Sequence, residues 1–90
     1  MTNYPDRYVI TGIVKDGQHK NERVYLYWTE EGGGWWQWGP DGWAYRFENK
    51  SGARFEDAMR CAKKGVGPYY YSVHPESVEV YATPAIVTVR

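Results

Sequence analysis

The sequence predicts an α+β domain: an antiparallel β-sheet of five to seven strands with one α-helix packed on one face, in the order ββββαββ(β), over residues 1–90 as a single domain. Three observations carry that expectation. Nine tyrosines and five tryptophans supply much of the apolar content, and Leu26 is the sole leucine, a make-up that favours sheet over helix bundle. One segment alone, 52–64, has helical periodicity. Glycine, proline and Asp-Gly signals divide the remainder into short β-branched and aromatic runs.

The first run, 7–15 (RYVITGIVK), alternates poorly, as expected of a strand covered on both faces. Asp16-Gly17 marks a turn, and 23–29 (RVYLYWT) is a second strand forming a long hairpin with the first. Alternation sets Val24, Leu26 and Trp28 on one face and Arg23, Tyr25 and Tyr27 on the other. The segment 30–34 (EEGGG) reads as a flexible connection. Next come 35–38 and 43–47, expected to form a short hairpin around Gly39-Pro40-Asp41-Gly42. Within it Trp36 and Trp38 share a face opposite Trp35.

Ser51 is the expected N-cap of the helix. Phe55, Ala58, Met59 and Ala62 recur at i, i+3, i+4 and i+7 as a narrow apolar stripe, and the alanines permit close approach to a sheet. Glu56 and Asp57 near the start and Lys63 and Lys64 at the end suit the helix dipole; Gly65 and Gly67-Pro68 stop it. Strands are expected over 69–73, 78–82 and 85–90, with a turn at His74-Pro75-Glu76-Ser77 and a break at Thr83-Pro84. One helix cannot cover a wide sheet, so the other face should expose aromatics or pair with a second copy or another protein.

Charge and motifs narrow the functional classes. Eleven basic and eleven acidic residues cancel, without the broad basic footprint of nucleic-acid or anionic-membrane binders. No apolar run approaches the roughly 20 residues needed to span a bilayer. The N-terminus carries no signal-peptide pattern, so a cytoplasmic location is expected. Cys61, the single cysteine, flanks the helix stripe and reads as a packed residue rather than a nucleophile paired with His74. Neither His19 nor His74 has metal-ligand spacing, and the Gly32–Gly34 run lacks the Lys-Ser/Thr of a phosphate loop. No catalytic residue, metal or cofactor is expected.

The outstanding motif is WWQWGPDGW, with Trp35, Trp36, Trp38 and Trp43 in nine residues and the acids Glu30, Glu31 and Asp41 beside them. Clustered indoles suit a protein-interface hot spot, stacking on unpaired bases, or a sugar platform; the bland alternative is an aromatic core. The acidic fringe repels phosphate and favours a protein partner. The alternative is a single-stranded nucleic-acid module using Tyr69 and Tyr71 with Arg54, Lys63 and Lys64 on the basic helix face. Self-association through a bare sheet face or edge, giving a homodimer, is compatible with both.

Beyond these patterns, Tyr8-Val9-Ile10, Ala44, Phe47, Phe55-Glu56-Asp57-Ala58, Ala62-Lys63-Lys64 and Pro75-Glu76-Ser77-Val78-Glu79-Val80 make the chain similar to a loose class of small bacteriophage and prophage proteins. That resemblance implies a small cytosolic α+β protein. It also implies that the chain could neutralise a host protein, including CRISPR or other defence components, by stoichiometric occlusion without catalysis. The class supplies no binding residues to carry over.

Overall fold

The computed structural model describes residues 7–65 and 71–83. Its elements are β1 (Arg7–Ile13), β2 (Arg23–Thr29), β3 (Trp35–Gly39), α1 (Ala53–Lys64) and β4 (Glu79–Thr83). The fold is α+β. The strands make one antiparallel sheet in the spatial order β3-β2-β1-β4, with α1 on one face.

β1 is an inner strand, which explains the β-branched run Val9-Ile10-Thr11 at its centre. Ile10 faces the helix and Val9 and Thr11 face away, yet all three are fully buried. β2 is the other inner strand. Its register with β3 sets Leu26 opposite Trp38 and Trp28 opposite Trp36. Even-numbered side chains of β2 and β3 therefore point at the helix, and their odd-numbered neighbours point away. The core comprises Ile10, Val14, Val24, Leu26, Trp36, Trp38 and Phe47 on the sheet side, closed by Ala58 and Ala62 of α1. Phe55 and Met59 flank the two alanines, as the stripe predicts.

Several expectations require correction. Among the described residues the sheet has four strands, not five to seven, and the element order is βββαβ. The hairpin expected from 35–38 and 43–47 does not form. β3 pairs instead along the seven-residue β2, which places both Trp36 and Trp38 under the helix. After Gly39 the chain makes a short 3₁₀ turn, Asp41–Trp43, with the Trp43 amide donating to the Pro40 carbonyl at 3.0 Å. It does not return along β3.

Instead, the Tyr45 amide donates to the Leu26 carbonyl at 3.0 Å, and Tyr8 and Phe47 exchange two backbone hydrogen bonds of 2.8 Å. The β1–β2 pairing ends at Thr11–Tyr25. Segment 45–47 takes up the backbone groups where the two strands separate, so a non-local demand outweighs the local turn signal.

The helix begins at Ala53 with Gly52 as its N-cap and no side-chain cap, so Ser51 does not serve. Glu31–Gly33 is a 3₁₀ turn rather than a flexible connection. In the expected strand over 69–73, Val73 makes a single bridge to Val14, while Tyr69 and Tyr70 lie outside the described residues, as does 85–90. Between that bridge and β4, the Ser77 hydroxyl substitutes for a strand partner. It accepts from the Ile13 amide at 2.8 Å and donates to the His74 carbonyl at 2.7 Å.

Gly12 is required by packing. A Cβ there would stand 2.5 Å from Val73 Cγ1 and 3.2 Å from the Trp38 ring. Gly12→Ala should therefore destabilise the fold by about 1–3 kcal/mol. Urea titration checks this as a lowered midpoint; an unchanged midpoint would show that the ring and Val73 yield freely.

Candidate functional site

The tryptophan motif is divided by the sheet. Trp36 and Trp38 are 3% and 4% exposed. They belong to the core, which removes them from the expected contact surface. The Trp36 ring meets Trp28 edge-on at 5.1 Å and Tyr45 at 5.4 Å, and lies 5.8 Å from Phe47. Its Nε1–H donates to Asp57 Oδ2 at 3.1 Å, and the second carboxylate oxygen of Asp57 pairs with Arg60. This acceptor was missed in the sequence, where Asp57 reads only as a dipole-compensating residue near the helix start.

Trp35 and Trp43 lie elsewhere. Trp35, Gln37 and Gly39 share the face of β3 turned away from α1, and Tyr27 joins them from β2 opposite Gln37. Trp43 is 61% exposed and is the exposed large hydrophobic side chain among the described residues. Its ring meets Tyr27 edge-on at 5.2 Å with planes at 75°.

Gly39 makes this contact possible. Any Cβ there would stand 2.6 Å from the Tyr27 ring and 3.5 Å from that of Trp43. The sequence offers Gly39 only as a turn residue, so its packing role was not visible. Tyr27 was legible by alternation as facing away from Leu26, but nothing local linked it to Trp43.

Polar groups surround these rings. Gln37 is 6% exposed, and its side-chain amide makes no hydrogen bond among the described residues. Glu30 is engaged as the acceptor for Trp28 Nε1–H at 2.7 Å. The carboxylates of Glu31 and Asp41 are exposed and form no ion pair among the described residues. Glu48, by contrast, pairs with Arg7, and Glu22 and Glu76 lie 3.1 and 3.2 Å from the Nδ1 atoms of His19 and His74. Tyr27, Glu31, Trp35, Gln37, Gly39 and Trp43 border one side of a broad open depression that wraps the β3 edge. Its other side is formed by the helix C-terminus and the 15–19 turn, with Lys63, Lys64 and Tyr71 on the rim.

The residues of the basic helix face are not brought together. Arg54 is held over the Trp28 and Tyr45 rings at 5.3 and 5.7 Å. Nine residues of helix, about 14 Å, separate it from Lys63. Tyr71 packs against the His19 ring at 5.3 Å, and Tyr69 lies outside the described residues.

Burial pushes the Cys61 thiol up from its ordinary value, and Asp57 adds to the rise, while Arg60 and Lys64 pull it down. Its thiolate fraction is therefore reduced. Among the described residues, no group of three or more His, Cys, Asp and Glu is placed to hold a metal, and no helix is long and apolar enough to cross a membrane.

Comparison with family models, curated proteins and solved structures finds no match.

Two outcomes are expected from this arrangement. Trp38→Ala should cost about 3–5 kcal/mol of stability, whereas Trp43→Ala should change it by less than about 1 kcal/mol, as read from urea midpoints. Equal losses would mean that Trp43 is a core residue. Second, Cys61 in the folded protein should alkylate more slowly at pH 8 than in the urea-unfolded chain, because its raised pKa keeps the thiol protonated. Equal or faster reaction when folded would contradict the desolvated setting.

Proposed function

We propose that the protein is a small non-enzymatic binding module that engages a partner protein through Trp35 and Trp43. Tyr27 supports Trp43 from beneath, and Glu31 and Asp41 supply the acidic fringe; Glu30, bound to Trp28 on the helix-facing side, is not part of this surface. The carrying observation is Trp43, 61% exposed as a residue, with its ring held in place by an edge-on tyrosine. A fixed, exposed tryptophan offers a large apolar contact at low entropic cost, the usual character of an interface anchor. The raised Cys61 thiol supports a binding rather than a nucleophilic role.

With the sequence resemblance, the concrete version is a phage-encoded inhibitor that occludes a host protein such as a CRISPR or other defence component. A cytoplasmic site of action belongs to that proposal.

A second reading is a single-stranded nucleic-acid module. In its favour, Lys63, Lys64 and Tyr71 border one depression. Against it, Arg54 is occupied by two rings, and Glu31 lies on the same depression. A gel shift at low salt that weakens steeply as salt rises would favour this second reading.

The interface test places substitutions at Trp35 and Trp43, because loss of Trp36 or Trp38 would empty the core. Immobilised Trp35→Ala/Trp43→Ala protein with an unchanged far-ultraviolet spectrum should lose whatever the unaltered protein captures from host lysate. Undiminished capture would exclude this surface.

A further inference from the structure

We infer that the site takes an extended, basic segment of a partner protein, laid along β3 as an added strand. This rests on the binding-module reading and specifies the partner's chemistry. Three independent observations converge. First, β3 is an edge of the sheet, with β2 its neighbour among the described residues. Its register runs unbroken from Trp35 to Gly39, without bulge, proline or charge. Edges not meant to pair are commonly blunted by those devices, and an unblunted edge accepts an extended chain through its main-chain groups.

Second, Gln37 stands midway along β3, 6% exposed as a residue, bordering the depression and making no hydrogen bond among the described residues. A primary amide donates and accepts at once, and so does a peptide group. Its amide atoms are reached by solvent rather than enclosed, so that capacity stays open to an incoming group. An incoming strand supplies peptide groups at this position.

Third, charge complementarity selects a basic segment. Glu31 precedes β3 and Asp41 follows it, both exposed and without an ion-pair partner among the described residues. The five residues of β3 span about 17 Å. An added strand of similar length therefore places its two ends near the two carboxylates. An arginine at either end gains a carboxylate and, beside the exposed Trp43, an indole face for cation–π contact. The lysines on the helix side border the depression across the β3 edge, so the acidic preference belongs to the aromatic side.

The test uses two synthetic heptapeptides of alternating threonine and valine, one with arginine at both ends and one with glutamate. Each is titrated into the isotope-labelled full chain and followed by amide and indole resonances. The arginine peptide should shift the 35–39 amides, the Gln37 side-chain amide and the Trp43 indole. It should bind at least about fivefold tighter than the glutamate peptide, consistent with two exposed ion pairs. Glu31→Gln/Asp41→Asn, both at exposed positions, should erase that difference while retaining the resting spectrum. Equal affinity of the two peptides, shifts confined to other elements, or no shift at millimolar peptide would overturn the inference. Equivalent shifts from a chitin or cellulose oligosaccharide instead of the peptide would also overturn it and assign the rings to sugar. If Trp35 and Trp43 still govern lysate capture in any of these cases, the binding-module reading stands and only the extended basic segment falls.

Discussion

The packing of Trp36 between sheet and helix is the constraint on which the remainder of this small fold depends. The indole sits on an edge strand, yet it is 3% exposed and touches three rings from two other segments. Its one polar atom must find a partner, because an unmet buried N–H costs about 1–3 kcal/mol. Asp57 Oδ2 provides it at 3.1 Å. That hydrogen bond ties β3 to α1 and fixes the rotation of the helix, so that Ala58 and Ala62 meet the sheet. The carboxylate is 44% exposed, which screens the bond to roughly 1 kcal/mol; most of the stabilisation comes from burying the indole surface.

Placing Trp36 inward determines the fate of its neighbours. Strand alternation sends Trp38 to the same side and Trp35 and Gln37 to the other. The turn after β3 then carries Trp43 onto Tyr27 rather than into the core, through the space that Gly39 leaves empty. A motif that looks uniform in sequence thus becomes two structures back to back. One is a dry aromatic core. The other is a supported, exposed indole beside the Gln37 amide and two carboxylates that form no ion pair among the described residues. The candidate site is a consequence of the core's geometry rather than an addition to it.

Much of this division was legible in the residues, for physical reasons. β2 was read at its true limits because RVYLYWT alternates cleanly, and the helix was read to within one residue because the Phe55–Ala62 stripe has a single period. The opposition of Trp35 to Trp36 and Trp38 followed from the pleat. Alternation does not say which face is inward; the pairing of β3 with β2 decides that. The destination of 43–47 was also hidden. Gly39-Pro40-Asp41-Gly42 announces a turn, but the separation of β1 from β2 beyond Thr11 and Tyr25 is a tertiary fact, and it draws Tyr45 to Leu26 and Phe47 to Tyr8. The roles of Asp57 and Gly39 were invisible for the same reason: each exists only in relation to a ring from a distant segment.

The division of the indoles is tested most directly by hydrogen exchange of the individual Nε1–H groups, followed by nuclear magnetic resonance in the intact protein. The Trp36 proton, buried and donated to Asp57, should be strongly protected and exchange only with opening of the fold, whereas the Trp43 proton should exchange near the rate of a free indole. A protected Trp43 beside a freely exchanging Trp36 would reverse the two faces and contradict both the core and the site described for them.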